Sequence, residues 1–171
     1  MVTKKVIDLL NLQIQRELFS AYLYLDMALY YNDIGLVGHA NWFEIQAQEE
    51  RDHALYFRDY LLHRNARVVS LKIDAPFGDY KDLREPLVVQ IKHEQEVTKS
   101  IENILETAIK EKDYGTQEFL QWFIKEQVEE ESNAENLLAE FDFLADDKAA
   151  LIGYDGHLHG RAYHKSTPDL D

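Results

Sequence analysis

Glu50 and His53 lie three residues apart in the segment 46–53, which reads Gln-Ala-Gln-Glu-Glu-Arg-Asp-His. On an α-helix this spacing places the carboxylate and the imidazole side by side on one face. The other residues of the Glu50 row are apolar: Phe43, Ala47, Ala54, Phe57 and Leu61. A carboxylate in such a row is costly to bury unless it is paired or binds a metal. The motif alone leaves both readings open, an ion pair or a metal site.

Three further segments place polar residues inside an apolar row of helical spacing. Glu17 falls in a row with Leu10, Ile14 and Leu25, and Glu94 falls in a row of a later segment. The last segment carries two such residues, Gln127 and Glu130, again three residues apart. Acids from four helices would therefore converge on one polar patch.

The apolar periodicity predicts an all-α fold, a four-helix bundle over residues 1–145. The first helix is predicted from the N-cap Thr3 to Tyr31, the second from Val37 to Arg64, the third from Asp82 with Glu85 as its capping-box partner, and the fourth from Gln117 after the N-cap Thr116 to Leu144. Residues 65–81 could return along the bundle, which would leave helices two and three parallel. A short fifth helix is expected within residues 146–164, starting at Lys148, and a flexible tail at 165–171.

Composition narrows the classes of protein. With 171 residues, 46% of them hydrophobic, the chain suits one domain with a sizeable core. The net charge of −14 argues against nucleic acid as a partner, because phosphates would be repelled. The absence of cysteine removes thiolate metal sites, catalytic thiols and disulfides. No apolar run suits a membrane span and the N-terminus does not resemble a signal peptide, so we expect a cytoplasmic protein without a membrane partner.

A patch of carboxylates and one imidazole inside a bundle favours a dinuclear site for hard or borderline cations. Iron or manganese fits these ligands better than copper, which would need more imidazole. The alternative without metal is a set of protonated carboxyls that hydrogen-bond one another, which is expensive to bury.

Three segments carry a more specific resemblance: Leu-Asn-Leu-Gln-Ile-Gln-Arg-Glu-Leu-Phe-Ser-Ala-Tyr-Leu-Tyr-Leu at 10–25, Trp-Phe-Glu-Ile-Gln-Ala-Gln-Glu-Glu-Arg-Asp-His-Ala at 42–54, and Glu-Gln-Val-Glu-Glu-Glu at 126–131. With them the chain resembles the bacterial non-haem ferritins over about residues 5–145. The resemblance implies a ferroxidase centre in which Glu17, Glu50 and His53 surround one iron. It also implies that Glu94 and Glu130 hold a second iron, that Glu50 bridges the two, and that Gln127 and Tyr24 lie beside them.

The same resemblance implies a third iron site formed by Glu49, Glu126 and Glu129, facing an inner cavity. A solvated acidic helix face is the alternative for these three residues. The family further implies Fe(II) and O2 or H2O2 as substrates, Fe(III) as the stored product, and a homo-oligomeric cage of 24 subunits.

Departures from related families refine this expectation. Haem-carrying relatives have a methionine just after the Glu-Glu pair, where this chain has Arg51-Asp52, so no haem is expected. Those relatives also have a histidine where this chain has Glu130. Its absence predicts that the second metal ion is bound more weakly and exchanges more readily. His157, His159 and His164 lie in a C-terminal part that matches poorly; they could line a channel or bind metal, but surface positions are favoured.

Three functions remain open at this point. The first is iron storage with ferroxidase activity. The second is a di-iron redox enzyme that consumes peroxide or activates oxygen without a store. The third is a structural bundle whose acids only bind divalent cations. Trp122 lies near the predicted centre, and its role is left undecided, whereas Trp42 is expected to serve packing.

Overall fold

The computed structural model describes residues 2–76 and 78–168. These residues form five α-helices and no strand. The helices are α1 (Lys4–Asp33), α2 (Val37–His63), α3 (Glu85–Lys110), α4 (Tyr114–Leu144) and α5 (Lys148–Leu158). The prediction of an all-α bundle with a short fifth helix is confirmed. Within the described ranges no helix combines the length and the hydropathy that crossing a membrane requires.

Hydrogen bonds between helices give their directions. In α1, Ser20 contacts His93 of α3, while Tyr31 near the end of α1 donates to the carbonyl of Leu83, which precedes α3. α1 and α3 are therefore antiparallel. α2 follows α1 after a short turn and returns beside it, with Asn32 bonded to Glu44. Because both are antiparallel to α1, α2 and α3 are parallel, as the long crossover predicts.

The crossover between α2 and α3 is held against α1 by side-chain hydrogen bonds. The Asn11 amide donates to the carbonyl of Arg67 at 3.1 Å and accepts from the backbone N–H of Val69 at 2.7 Å. Further along, the Tyr80 hydroxyl donates to Asp26 at 2.9 Å. These contacts satisfy polar groups of a segment that has no ladder or helix of its own.

The core consists of two apolar clusters, one toward each end of the bundle. Residues such as Leu10, Phe57 and Phe123 form the first cluster. The second includes Met27 and Leu137. A layer of buried polar side chains lies between them: Glu17, Glu50, His53, Glu94, Gln127 and Glu130. Leu25, which the periodicity places in the core row, is instead 43% exposed, and Leu23 at 3% takes the buried position.

Side-chain caps set the starts of α1, α4 and α5, and two predicted starts are wrong. The Thr3 side chain accepts from Val6 N as predicted. α4 begins at Tyr114 and not at Gln117, because Asp113 is the N-cap and its carboxylate accepts from the N–H of Thr116. α3 begins at Glu85 rather than Asp82. The Asp82 carboxylate instead caps the turn that precedes α3, where it accepts from the backbone N–H groups of Arg84 and Glu85.

α5 docks on the N-terminus of α2 through one buried carboxylate. Asp155 accepts from the backbone N–H groups of Gly38 and His39 at 2.9 and 2.8 Å, and it bonds His39 Nδ1 at 2.6 Å. A helix N-terminus favours a carboxylate in this position. The approach is so close that a Cβ on Gly38 would lie 1.7 Å from the carbonyl oxygen of Asp155.

α5 ends at Leu158, short of residue 164, and the chain continues without regular structure along α2. Residues 165–168 of the predicted flexible tail make contacts there: the Tyr56 hydroxyl donates to the carbonyl of Ser166 at 2.6 Å. The remainder of that predicted tail, residues 169–171, lies outside the described residues.

Gly38→Ala is expected to lower the free energy of unfolding by about 1–3 kcal/mol, because the added methyl must push α5 away from α2. Gly153→Ala on α5 is the matched control, since its Cβ would meet no atom within 4 Å, and it should hold or raise stability. Chemical denaturation of the two variants beside the wild type measures the difference. Equal stability of both variants would contradict the close packing of α5.

Candidate metal centre

The polar layer is formed by side chains at mid-length of four helices. Each acid lies on the inward face because its neighbours two turns away on either side are core residues, as Leu10 and Tyr24 are in α1. The exposed fractions are small: Glu17 1%, Glu50 2%, His53 4%, Glu94 0% and Glu130 5%. The two apolar clusters on either side keep bulk water from this layer.

Glu17, Glu50 and His53 form the tightest part of the layer. One ligand atom from each of the three side chains lies within 4.8 Å of the others, the spacing that a single metal ion requires. Glu50 Oε2 is 3.6 Å from His53 Nδ1. Glu17 Oε1 accepts from the Gln13 amide at 2.7 Å, but Glu17 Oε2 is buried without a donor. A proton shared with Glu50, or a cation, would satisfy that oxygen.

Glu94 is held by two donors from different helices. The Tyr24 hydroxyl donates to Oε1, and the Gln127 amide donates to Oε2 at 3.2 Å. Glu130 has one donor, the Gln46 amide, at 2.7 Å from Oε2. The carboxyls of these two acids are thus oriented before any ligand arrives, while their remaining lone pairs stay available.

Burial raises the pKa of every carboxyl in the layer, and repulsion from other carboxyls of the layer raises it further for Glu17, Glu50 and Glu130. Burial is the larger cause for Glu17 and Glu50, followed by Glu50 acting on Glu17 and by Glu94 acting on Glu50. Burial also raises the pKa of Glu94. For Glu130, burial and then the charge of Glu94 raise the pKa to about 8. Without a cation, Glu130 therefore holds a proton at neutral pH for most of the time.

The donor set fits a hard or borderline metal ion. It offers carboxylate oxygens and one imidazole, which suit iron, manganese or zinc better than a soft ion. The unpartnered Glu17 oxygen and the raised carboxyl pKa values both indicate a site that lacks positive charge. A cation bound there would displace the protons and supply the missing partner.

Glu49, Glu126 and Glu129 lie at an open pocket beside this layer, not within it. Glu129 is exposed, and the other two are partly buried. Glu49 is already paired: it accepts from the Arg161 guanidinium at 2.9 and 3.1 Å. Within the described ranges, these three acids do not gather into a ligand group as Glu17, Glu50 and His53 do.

Sequence reasoning missed the residues that hold the acids from outside the ligand set: Gln13, Gln46, Ser100 and Arg161. Gln13 lies four residues before Glu17, a spacing that could have revealed it. The Ser100 hydroxyl in turn donates to the side-chain oxygen Oε1 of Gln13 at 2.5 Å. Gln46 reaches Glu130 on another helix, and no spacing along the chain signals that contact.

The contacts of the two tryptophans near the centre, Trp122 and Trp42, are packing contacts. Trp122 meets the His53 ring edge-on with 5.5 Å between centroids. It therefore buttresses the imidazole. The guanidinium carbon of Arg161 lies over the Trp42 ring, 4.2 Å from the ring centroid. His157, His159 and His164 are exposed, as favoured from the sequence.

The sequence profile described as the ferritin-like domain matches residues 7–144. The chain belongs to the ferritin-like family. The bacterial non-heme ferritin of Staphylococcus haemolyticus is 37% identical over 163 residues, which cover 95% of this chain and 98% of that protein. The protein of the same name from Staphylococcus saprophyticus is 34% identical over 166 residues, or 97% of this chain and 99% of that protein.

Solved structures agree with this assignment. A novel open pore ferritin from the hyperthermophilic archaeon Archaeoglobus fulgidus has a TM-score of 0.92 to this ferritin-like chain, with 38% identity over 94% of this chain and 98% of that chain. A closed form of the Archaeoglobus fulgidus ferritin, engineered by site-directed mutagenesis, has a TM-score of 0.94 and 38% identity, covering 96% of this chain and 100% of that chain. The resemblance to bacterial non-haem ferritins is thereby confirmed.

The metal-free protein is expected to lose stability as the pH rises from about 5 to about 8. The pKa of Glu130 is about 8 in the folded state, whereas an unfolded glutamate titrates near ~4.3. The folded state therefore binds more protons across this interval, and the stability present at low pH is lost as the pH rises toward the folded pKa. Thermal unfolding of chelator-treated protein between these pH values measures the effect.

Glu130→Gln should reduce the slope of this pH profile, because the amide does not titrate and only the other buried carboxyls remain. Glu102→Gln, an exposed position on α3, is the control and should keep the slope. A midpoint that rises with pH in the metal-free wild type would contradict the raised pKa values.

Proposed function

We propose that this chain is an iron-storage protein that binds Fe(II), oxidises it with O2 or H2O2 at a dinuclear ferroxidase centre, and stores Fe(III) inside a hollow cage. The observation that carries the proposal is the buried group of Glu17, Glu50 and His53, whose ligand atoms lie within 4.8 Å of one another. Membership of the ferritin-like family and the ferritin names of its relatives support the same function.

The first iron would be bound by Glu17, Glu50 and His53. Gln13 orients Glu17 by donating to one oxygen, so the unpartnered Oε2 is the atom left for the metal. Trp122 packs edge-on against the His53 ring and limits its rotation. A side chain that is oriented by its neighbours binds a metal with less loss of freedom.

The second iron would be bound by Glu94 and Glu130, with Glu50 bridging to the first. Both acids are held by neutral donors: Tyr24 and Gln127 hold Glu94, and Gln46 holds Glu130. This position has no imidazole, since Gln127 and Glu130 occupy the fourth-helix motif. Two carboxylates without a histidine make a weaker site, which suits iron that must leave after oxidation.

The oxidation balances with two electrons from two Fe(II). With O2 as the oxidant, two protons are taken up and H2O2 is formed. With H2O2 as the oxidant, the O–O bond breaks, two protons are taken up and two waters are formed. Glu130, whose pKa is raised to about 8 by burial and by the charge of Glu94, releases its proton as iron binds. Carboxylates favour Fe(III) over Fe(II), because the harder ion gains more from anionic oxygen ligands.

Storage requires an assembly, and the single chain leaves apolar surface for one. Large hydrophobic side chains are exposed on α1 and α4, including Tyr22 at 48%, Leu29 at 60% and Phe143 at 88%. Exposed apolar residues in such numbers are typical of subunit contacts. We propose a 24-subunit cage in the cytoplasm, as the resemblance to bacterial non-haem ferritins implies, with the pocket of Glu49, Glu126 and Glu129 as a third iron site.

Glu17→Ala and His53→Ala are each expected to slow Fe(II) oxidation by about a hundredfold or more, because each removes a ligand of the first iron. Stopped-flow absorbance after mixing Fe(II) with aerated protein measures the rate. Glu102→Ala removes an exposed acid outside the centre and should leave the rate unchanged. Wild-type rates in both ligand variants would show a bundle whose acids merely bind cations.

Aerobic loading with Fe(II) in large excess should give iron far above three ions per chain, which is more than the proposed sites hold. Size-exclusion chromatography with iron and protein measured together should place that iron on a very large particle. Iron that stops at two or three per chain on a small oligomer would reject storage and favour a di-iron enzyme that consumes peroxide or activates oxygen.

A further inference from the structure

The segment after α5, residues 159–168, forms a strap along α2 that we call the C-terminal strap. It is attached at its start by Asn41, whose amide donates to the carbonyls of Leu158 and Arg161 at 3.2 and 3.0 Å. Further on, the Tyr163 hydroxyl donates to the Asp52 carboxylate, and the Tyr56 hydroxyl binds the carbonyl of Ser166. The strap is thus held at several points along α2.

Between these attachments, Arg161 reaches into the acidic pocket. One guanidinium nitrogen contacts both oxygens of Glu49 at 2.9 and 3.1 Å, and the other donates to Gln46 Oε1 at 2.7 Å. Its guanidinium carbon lies 4.2 Å from the ring centroid of Trp42. The Arg161 and Glu49 side chains are only 24% and 21% exposed. A stacked and forked guanidinium of this kind is well ordered and strongly bound.

The pocket around Arg161 is otherwise acidic. Glu126, Glu129 and Glu130 line it together with Glu49, and the strap contributes His164 and Ser166. Among the described residues that line this pocket, Arg161 carries the one permanent positive charge. The guanidinium therefore occupies the position that a cation in this pocket would take, and it is bound to the carboxylate that such a cation would use.

Arg161 is also connected to the buried centre through one amide. Gln46 accepts from Arg161 at its oxygen and donates from its nitrogen to Glu130 Oε2 at 2.7 Å. Because an amide oxygen that accepts from a cation makes the amide nitrogen a better donor, Arg161 strengthens the hold on Glu130. If the guanidinium leaves, the Gln46 amide is free to rotate.

We propose that Arg161 is a tethered cation that competes with metal ions for the outer acidic pocket, so that an ion binds to Glu49 only when the guanidinium is displaced. Displacement also releases Gln46 and with it Glu130, which couples the outer pocket to the second metal of the buried centre. The competition stands on the contacts of Arg161, whereas the coupling to the second metal rests on the proposed ferroxidase function.

The test uses Zn(II), which is not oxidised, and the full chain in its assembled form. Equilibrium dialysis and isothermal titration measure the number and affinity of sites. In Arg161→Gln, the sites outside the buried centre should bind Zn(II) about tenfold more tightly than in the wild type, which corresponds to ~1.4 kcal/mol. Arg161→Lys retains the charge and should remain close to the wild type.

Three further variants separate competition from other effects. Adding Glu49→Gln to Arg161→Gln should cancel the gain, because the carboxylate freed by Arg161 is then absent. Arg84→Gln is the matched control, since Arg84 makes a forked pair with Asp142 outside the pocket and should change nothing. Tyr163→Phe loosens the C-terminal strap but leaves the guanidinium in place, and should give less than the gain of Arg161→Gln.

Unchanged Zn(II) affinity in Arg161→Gln would overturn the proposal, as would an equal gain in Arg84→Gln or Tyr163→Phe. Fe(II) oxidation by the wild type is measured in parallel. If the wild type fails to oxidise Fe(II) while Arg161→Gln gains Zn(II) affinity, the ferroxidase function fails and the competition stands. If the wild type oxidises Fe(II) and Arg161→Gln gains no affinity, the competition fails alone.

Discussion

Burying several carboxyl groups in one layer of a helical bundle is the constraint on which the rest of this structure depends. Each ionised carboxylate that leaves water loses several kcal/mol of hydration, and neighbouring carboxylates repel one another. The raised pKa values of the acids in this layer, and the Glu17 oxygen without a donor, are the direct expression of that cost. Protons can relieve it, but a pair of multivalent cations relieves it more fully.

Such a layer is tolerated because the surrounding structure is rigid and apolar. Long helices carry the layer at mid-length, and an apolar cluster on each side provides stability that the polar residues cannot. The ring of amide and hydroxyl donors from Gln13, Tyr24, Gln46 and Gln127 fixes the carboxyls in position. The same arrangement that makes this layer costly to bury therefore places its carboxyls for binding metal.

The C-terminal strap extends this electrostatic design from the interior to the surface. Negative charge continues outward from Glu130 to Glu49, and at that point the protein supplies its own cation in Arg161. The strap is fastened to α2 by Asn41 and Tyr56, so the guanidinium stays near the pocket even when it is not bound. The proposed binding of cations in this acidic pocket would therefore meet a competitor that belongs to the same chain.

Helical periodicity in the sequence was sufficient to determine the bundle and to single out four acids that interrupt an apolar row: Glu17, Glu50, Glu94 and Glu130. His53 followed from its spacing of three residues from Glu50. Only the tertiary structure decided which groups hold these acids. Gln46 reaches an acid on another helix, and Arg161 arrives from a segment without periodic pattern, so neither contact leaves a trace in local spacing. The start of α4 was misplaced for a related reason: Asp113 and Thr116 both suit an N-cap, and the choice depends on the buried contacts of Asp113 with Arg64 and Thr116. Sequence periodicity reports burial, whereas hydrogen-bond partners depend on which helices become neighbours.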